Sequence, residues 1–196
     1  MPGIVVSMML RVVSCFLGML AISSAHASIL KGTPWENVAM AHGIDPILIY
    51  SVALVEAAHV DHEGARPHPF AVNGPEGARY FNDWDSAAAY VRAYPRPADL
   101  DLGAMQINLR WHGARVADPT ALLDPMINLQ VGAAILCEAL ASAPDDLELA
   151  IGHYHSADPP RARAYGRKVL AVYARLLAAD GESWQAGGRA PALACR

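Results

Sequence analysis

The sequence is short of charge, of cysteine and of long apolar runs, and these shortages narrow what the protein can do. Charged residues make up 17% of the 196 positions, with 15 basic and 19 acidic side chains and a formal net charge of −4. Such a chain lacks the basic surface that binds nucleic acid, so no nucleic-acid partner is expected. There are no internal repeats and no long low-complexity run, and a hydrophobic content of 54% is ample for the core of one domain.

The most apolar stretch lies near the N-terminus and is too short to cross a bilayer comfortably. Arg11 precedes an apolar run from Val12 to Ile22, and Ser23-Ser-Ala-His-Ala27 follows it. A basic start, an apolar segment and an A-x-A site are typical of a secretory signal peptide, the alternative being a retained anchor. We therefore expect residues 1–27 to be cleaved after Ala27, leaving an exported, periplasmic chain that begins at Ser28 and has no stable membrane anchor.

Cysteine is scarce, with three residues in the chain. Cys15 lies inside the apolar run, away from the cleavage site, so it should leave with the signal peptide. Cys137 and Cys195 remain in a compartment where thiols can oxidise. Two interpretations stay open: a disulfide that ties the C-terminal tail to the helix around Cys137, or a buried free Cys137 with an unpaired Cys195.

Helical signals dominate the rest of the chain and predict a mainly α domain over residues 28–178. Thr33-Pro-Trp-Glu36 is typical of a capping box that opens a helix ending at Gly43, and Asp45-Pro46 starts the next helix. Asp124-Pro125 begins the longest helical pattern. Shorter stripes predict helices at about Ser86–Ala93, Leu147–Tyr154 and Pro160–Ala178.

One small β-hairpin interrupts this helical pattern. Phe70–Asn73 and Ala78–Phe81 flank a turn containing Gly74 and Gly77, whereas the His-, Pro- and Gly-rich segment His59–Pro69 is interpreted as a loop. Beyond the domain, the Gly, Ala and Pro content of residues 179–196 predicts a flexible tail.

Glu56 is the only charged residue in the otherwise apolar helical segment Pro46–Ala58. Helical spacing places it on one stripe with Ile49, Val52 and Ala53, so it should face a cleft. Burial disfavours the ionised form of a carboxyl, which would let Glu56 keep its proton towards neutral pH and donate it as a catalytic acid. The alternative is a Glu near the helix end that turns to water.

Four segments occur in a characteristic order along the chain. They are His42–Glu56, Leu102-Gly-Ala-Met-Gln-Ile-Asn108, Leu123-Asp-Pro-Met-Ile-Asn-Leu-Gln-Val-Gly132 and Leu147-Glu-Leu-Ala-Ile-Gly-His-Tyr154. Together they resemble the lysozyme-like domain of the soluble lytic transglycosylases, and the resemblance runs from about Thr33 to Leu177. It implies a lysozyme-like helical fold with a small β-hairpin, and an enzyme that cleaves the β-1,4 bond between N-acetylmuramic acid and N-acetylglucosamine in peptidoglycan.

The resemblance also implies roles for particular residues. Glu56 matches the single catalytic acid, which would protonate the glycosidic oxygen and then take the proton of the muramic-acid C6 hydroxyl as it closes onto C1, giving a 1,6-anhydro end. Gln106 would hydrogen-bond the sugar, and the Tyr154 hydroxyl would orient Glu56 or the substrate. The remaining predicted substrate-binding residues are Met105, Asn108 and His155. No metal and no other cofactor is required.

Alternatives and departures accompany these assignments. Tyr154 could be a core tyrosine, and Gln106 and Asn108 could cap the turn before the next helix. The family usually has Ser after its Glu, where this chain has Ala57, and it has Asn where this chain has His155. Ala104 replaces the family's usual Leu.

The long connection from Glu56 to Gly103 and the Asn108–Gly113 run are similar to the branch carried by conjugative elements and type IV secretion systems. The partners that this implies are the peptidoglycan glycan strand and, through that branch, an envelope-spanning secretion or conjugation apparatus.

Three other functions compete with this one. A hydrolytic muramidase would need a second carboxylate, for which Asp99 and Asp101 are the candidates. A metal site could use the histidine-rich segment, but Gly64 and Pro67 favour solvated histidines in a loop; the residues concerned are His59, His62, Glu63, His68, His153 and His155. A peptidoglycan-binding or scaffold protein could keep the fold without catalysis.

Overall fold

The computed structural model describes residues 29–62, 64–181 and 195. The predicted signal peptide and most of the predicted tail lie outside the described residues. Within them the protein is mainly helical, with 59% helix and 13% strand, and has small antiparallel sheets. The mainly α class is therefore confirmed.

The first two helices begin where their capping residues predict, and Gly43 ends the first as predicted. Helix α1 spans Pro34–His42, with Thr33 Oγ1 accepting the backbone N–H of Glu36 and Gly43 ending the helix at a φ of 69°. Helix α2 spans Pro46–Ala57, and the Asp45 carboxylate accepts two backbone N–H groups of its first turn. Both starts satisfy N–H groups that have no partner within a helix. Glu56 consequently lies in the last turn of α2.

A two-stranded sheet follows α2 without a break. Strand β1 spans Ala58–Asp61 and pairs antiparallel with β2, Gly64–Pro67. The prediction of a loop over His59–Pro69 is therefore wrong. Most side chains of both strands are exposed, so no buried face distinguishes these strands from a loop, and the alternation in Ala58-His-Val-Asp61 is only four residues long.

The predicted hairpin is confirmed and forms part of a larger sheet. Strands β3, Ala71–Gly74, and β4, Gly77–Tyr80, pair antiparallel. Two further strands, β5 at Asp101–Leu102 and β6 at Ile107–Asn108, extend it to four strands in the order β4-β3-β5-β6. The sequence predicted only the β3–β4 hairpin of this sheet. Strands β5 and β6 have two residues each, which is too short to give a recognisable sequence pattern.

The other helices complete the core. They are α3 (Trp84–Ala93), α4 (Leu109–His112), α5 (Pro125–Ser142), α6 (Leu147–Gly152) and α7 (Pro159–Ala179), with 3₁₀ turns at Pro97–Asp99, Gly113–Arg115 and Pro119–Leu123. By length and composition α5 is apolar enough to cross a membrane, but half of it is buried inside the protein. Its buried side chains pack in the same core as those of α2.

Helices α6 and α7 pack closely through two glycines. A Cβ atom on Gly152 would lie 2.1 Å from the Ala162 carbonyl oxygen, and one on Gly166 would lie 2.0 Å from the Glu148 carbonyl oxygen. Only a hydrogen fits in either place. This contact fixes the position of the neighbouring Tyr165 over the end of α2.

Cys137 and Cys195 form a disulfide with a Cα–Cα distance of 5.5 Å. Of the two interpretations left open by the sequence, the structure has the disulfide. The bond links α5 to a residue 58 positions further along the chain, and such a cross-link stabilises mainly by restricting the unfolded state.

We expect Cys195→Ser to lower the free energy of unfolding by about 2–4 kcal/mol, since it opens this long covalent loop. Urea unfolding of the variant and of the wild type, each with and without reductant, measures the effect. Reductant should bring the wild type to the level of the variant and leave the variant unchanged. Equal stability of the variant and the wild type in the absence of reductant would contradict the prediction.

Candidate active-site cleft

A polar cleft of about 340 Å³ opens where the end of α2, the β-sheet and the loop after α6 meet. Its walls include predicted site residues from three separate parts of the sequence. The lining residues are Glu56, Asn73, Asp101, Gln106, Ile107, Asn108, Trp111, His112, Ile135, Tyr154 and His155. The fold thus brings Glu56, Gln106, Asn108, Tyr154 and His155 together, as predicted.

Glu56 is held at the base of this cleft by a tyrosine from α7. The Tyr165 hydroxyl donates a hydrogen bond of 2.6 Å to Glu56 Oε1, and the Tyr165 ring is buried. Burial raises the pKa of Tyr165 well above its usual value, with the nearby Glu56 charge adding to the effect. The hydroxyl therefore stays protonated and acts as the donor.

Burial raises the pKa of Glu56 from 4.5 to about 7. The Tyr165 hydrogen bond opposes this shift because it stabilises the carboxylate, and the nearby Asp101 charge adds to it. A carboxyl with such a pKa is protonated in a large fraction of molecules near neutral pH. Glu56 can therefore donate a proton and take one back under the same conditions.

If Glu56 is the acid that cleaves peptidoglycan, we expect Tyr165→Phe to shift the pH dependence of kcat/KM, moving the fall in rate at alkaline pH to higher pH. The change removes a hydrogen bond that favours the charged form, so the pKa of Glu56 rises and the protonated acid persists to higher pH. Rates of muropeptide release, measured for the variant and the wild type across the pH range, test this shift.

Tyr173→Phe is the matched control, because Tyr173 lies on the same helix and its hydroxyl donates to Asp45 Oδ2 at 2.8 Å. It should lower stability by about 1 kcal/mol without moving the alkaline fall in kcat/KM. If Tyr165→Phe lowered the melting temperature but left the alkaline fall in kcat/KM at the same pH, Tyr165 would stabilise the fold without setting the pKa of Glu56.

The turn Gly103–Gln106 forms one wall of the cleft and depends on an unusual backbone. Gly103 has a φ of 74° and Gln106 a φ of 45°, a region that non-glycine residues seldom adopt. A Cβ at Gly103 would lie 2.2 Å from Asn128 Nδ2. Gly103 is therefore required both for its backbone angle and for the close approach of Asn128.

Asn128, buried on α5, holds this turn in place. Its Nδ2 donates to the carbonyls of Leu102 and Leu122, and its Oδ1 accepts the Met105 backbone N–H, each at 2.8 Å. Sequence reasoning did not single out Asn128, although it belongs to one of the four segments of the resemblance. Its position in that segment was the available signal.

Gln106 lines the cleft with its amide nitrogen committed to the protein. Its Nε2 donates to the Gly103 carbonyl at 2.8 Å and, more weakly, to the Ala71 carbonyl at 3.4 Å. The amide oxygen is thus the atom suited to accept a hydrogen bond from a ligand hydroxyl. The amide nitrogen thus caps the Gly103–Gln106 turn, and the sugar contact stays a prediction for the amide oxygen.

The Met105 side chain does not line the cleft. It is fully buried and packs against Gly132, where an added Cβ would lie 2.6 Å from Met105 Cγ. The predicted substrate contact by this side chain is therefore replaced by a core contact. The reason is the turn itself, which directs Met105 towards α5.

The Tyr154 hydroxyl donates to the Met105 carbonyl at 2.7 Å. Burial raises the pKa of Tyr154 well above its usual value, so this donor keeps its proton. Tyr154 contributes its ring to the cleft and ties the loop after α6 to the Gly103–Gln106 turn. Tyr165, on α7, donates to Glu56 the hydrogen bond that was considered for the Tyr154 hydroxyl.

Asp101 is the second carboxyl of the cleft. Burial raises its pKa, and the hydrogen bond from Asn108 Nδ2, 2.7 Å from Asp101 Oδ1, opposes the rise. Asn108 also caps α4, since its Oδ1 accepts the backbone N–H groups of Arg110 and Trp111. Asp99, the other candidate base, instead forms ion pairs with Arg96 and Arg110.

The His155 ring stacks on Tyr165 with a centroid distance of 4.8 Å and an angle of 3° between the planes. Burial lowers the pKa of His155, and the positive charge of Lys168 lowers it further against the opposing effect of Asp101. The imidazole therefore favours its neutral form. It covers the tyrosine that holds Glu56 and borders the cleft beside Asp101.

Trp111 is the large apolar side chain most exposed on this site, with 77% of its surface accessible. It lines the cleft next to His112. Sequence reasoning noted the run that contains both residues but assigned them no role. An exposed aromatic at the edge of a polar cleft offers a flat surface for the apolar face of a ligand.

The histidines considered for metal binding lie in two places, with His62 in the turn after β1, and Glu63 lies outside the described residues. His59 and His68 contact each other and Tyr80, with ring centroids 4.9–5.3 Å apart, whereas His153 and His155 follow α6. Among residues 29–62, 64–181 and 195, no three His, Cys, Asp or Glu side chains are grouped so that they could hold a metal ion.

Comparisons with protein-family models, with curated proteins and with solved structures found no match to this chain.

Proposed function

We propose that this protein is a peptidoglycan lytic transglycosylase with a lysozyme-like fold. The observation that carries the proposal is a carboxyl, Glu56, at the base of a polar cleft, with a pKa of about 7 and a tyrosine hydroxyl 2.6 Å away. The order of the four sequence segments supports the assignment to the soluble lytic transglycosylase family. The polar walls and the exposed Trp111 suit a glycan strand, which has many hydroxyls and one apolar face on each sugar.

The proposed reaction uses Glu56 twice. Protonated Glu56 donates to the glycosidic oxygen while the bond from that oxygen to C1 of the muramic acid breaks. The resulting carboxylate then takes the proton of the C6 hydroxyl as its oxygen bonds to C1. The proton count balances, no water is consumed, and the product ends in a 1,6-anhydro sugar.

Each neighbouring group has a supporting part in this scheme. Tyr165 holds Oε1 of Glu56 in place between the two steps, and its hydrogen bond stabilises the carboxylate that forms after the first. Gln106 presents an amide oxygen to a sugar hydroxyl. Because Ala57 is buried, it offers no contact in place of the hydroxyl that the family usually has there.

Hydrolysis by a muramidase is the second candidate, and Asp101 favours it. Asp101 lines the same cleft as Glu56 and influences its pKa, so it could act as the base for water or as the nucleophile. Burial raises the pKa of Asp101, which strengthens it as a base, whereas the hydrogen bond from Asn108 stabilises the carboxylate and weakens it.

Mass spectrometry of the muropeptides released from purified peptidoglycan separates these functions. The chain from Ser28 onwards is expected to release anhydromuramyl ends, and Asp101→Asn is expected to retain that product. Reducing ends that disappear in Asp101→Asn would establish hydrolysis. If the wild type released nothing, a binding or scaffold role would replace catalysis.

The site of action follows from the substrate. We propose that the signal peptide takes the enzyme to the periplasm, where it opens the wall locally for an envelope-spanning secretion or conjugation apparatus. Fractionation of cells that express the full chain tests the first part, with the mature N-terminus expected at Ser28. Recovery of the uncleaved chain in the cytoplasm would overturn it.

A further inference from the structure

Helix α7 presents three cationic side chains in one row on its exposed side. Arg161, Lys168 and Arg175 are exposed and follow one another at intervals of seven residues. Because seven residues complete almost two helical turns, the three side chains leave α7 on nearly the same side, about 10.5 Å apart along the helix axis. This basic row therefore extends over about 21 Å of the helix.

The charges of the basic row have no acidic partner among residues 29–62, 64–181 and 195. The other two cations of α7 are paired with acids of the segment that contains α6. Arg163 lies 2.6 Å from Asp146 Oδ2, and Arg167 lies 3.1 Å from Glu148 Oε1. Since the chain as a whole carries a formal net charge of −4, the basic row is a local cationic face that can attract an anionic partner to one place on the surface.

Small side chains separate these cations along the helix. Each cation is followed three residues later by an exposed alanine, and these alanines are Ala164, Ala171 and Ala178. Residues three apart are neighbours on a helix surface, so long cationic side chains and methyl groups alternate along one seam. This is the spacing of the a and d positions of a coiled coil. The alanines would let the backbone of a second helix approach α7 closely.

We propose that this side of α7 docks an acidic helix of a partner protein, one whose carboxylates repeat at the same seven-residue spacing. The carboxylates would pair with the basic row, and the apolar stems of its side chains would pack against the partner helix. An anionic membrane fits less well, because a helix that lies in a bilayer surface has large apolar side chains on its buried side. In the described part of the chain, the exposed large apolar side chains all lie outside α7: Ile29, Met40, Val60, Tyr80, Trp111 and Met126. Docking at this surface does not require that the protein cleave peptidoglycan.

The probe is a fluorescent synthetic helix with Glu at every a position and Ala at every d position of its heptads. An isomer of the same composition, with its glutamates distributed around the helix, is the control peptide. Fluorescence anisotropy at physiological ionic strength should show that the wild type binds the heptad peptide about tenfold more tightly than the isomer.

Neutralising the basic row, with Arg161→Gln, Lys168→Gln and Arg175→Gln combined in one protein, should weaken binding of the heptad peptide about tenfold. The matched control makes the same change of net charge elsewhere on the surface and should bind like the wild type. It combines glutamine substitutions of the exposed Arg79, Arg92 and Arg96.

Ala171→Phe keeps all three charges but places a ring in the middle of the seam, so it should weaken binding of the heptad peptide about fivefold. Ala89→Phe, at an exposed position of α3, is its control and should have no effect.

Four results would overturn the inference. Equal affinity for the two peptides would mean that charge alone attracts them, and unchanged affinity in the triple-glutamine protein would place the contact elsewhere. Binding to phosphatidylglycerol vesicles but to neither peptide would make the row a membrane contact, and no binding to any of these probes would make it a solvated surface. Since none of these measurements involves turnover of peptidoglycan, the proposed function stands or falls separately.

Discussion

Glu56→Gln is expected to lower kcat/KM on peptidoglycan by about 10³-fold. Glutamine keeps the shape of the side chain and can still accept the Tyr165 hydrogen bond, but it has no proton to give to the glycosidic oxygen. The rate of muropeptide release measures the loss. Glu76→Gln is the matched control, because Glu76 is exposed and contacts Tyr90 and Tyr94 outside the cleft, and it should leave the rate unchanged.

The stability of Glu56→Gln separates lost chemistry from lost folding. The pKa of Glu56 is about 7 in the folded protein against an ordinary value of 4.5, so between these values the folded state binds more protons than the unfolded state. The stabilising contribution of protonated Glu56 is fully present below pH 4.5 and is lost as the pH rises through about 7. The Gln variant, which cannot ionise, should therefore melt at least as high as the wild type at pH 8.

Two results would contradict the assignment of Glu56. Turnover by Glu56→Gln at the wild-type rate would show that another group supplies the proton. Loss of turnover together with a much lower melting temperature at pH 8 would show that the side chain is needed for folding. Only loss of activity in a stable protein identifies Glu56 as the acid.

Gly166→Ala is expected to lower the free energy of unfolding by about 3 kcal/mol. The added Cβ would lie 2.0 Å from the Glu148 carbonyl oxygen, which belongs to a backbone and cannot rotate away. Helices α6 and α7 must then separate, which also shifts Tyr165 away from Glu56. Urea unfolding measures the stability, and the alkaline limb of the pH profile reports the position of Tyr165.

Gly113→Ala is the control for this change. Gly113 has a φ of −58°, and a Cβ there would meet Leu109 Cδ2 at an ordinary 3.7 Å. Alanine should therefore be neutral, or stabilising by up to about 1 kcal/mol through the unfolded state. Equal effects of the two alanines would mean that helices α6 and α7 are not as closely packed as the structure has them.

Local sequence determined the helices other than α4 and singled out Glu56 as the candidate acid. Thr33, Asp45 and Asp124 precede prolines and satisfy the first N–H groups of their helices, an interaction that spans two or three residues and can be recognised in the sequence. Glu56 stands out because its neighbours in the same helix are apolar. The hairpin around Gly74–Gly77 is likewise defined by a short turn and its flanking residues.

Tertiary structure decided what surrounds that acid. The Tyr165 hydroxyl reaches Glu56 from 109 residues away, and only the packing of α7 on α2 and α6 brings this tyrosine, rather than Tyr154, to the carboxyl. The same holds for Asn128 under the Gly103 turn and for the pairing of Cys137 with Cys195. Capping interactions join neighbours in the chain, whereas these contacts exist only after distant helices have packed together, and no sequence period encodes them.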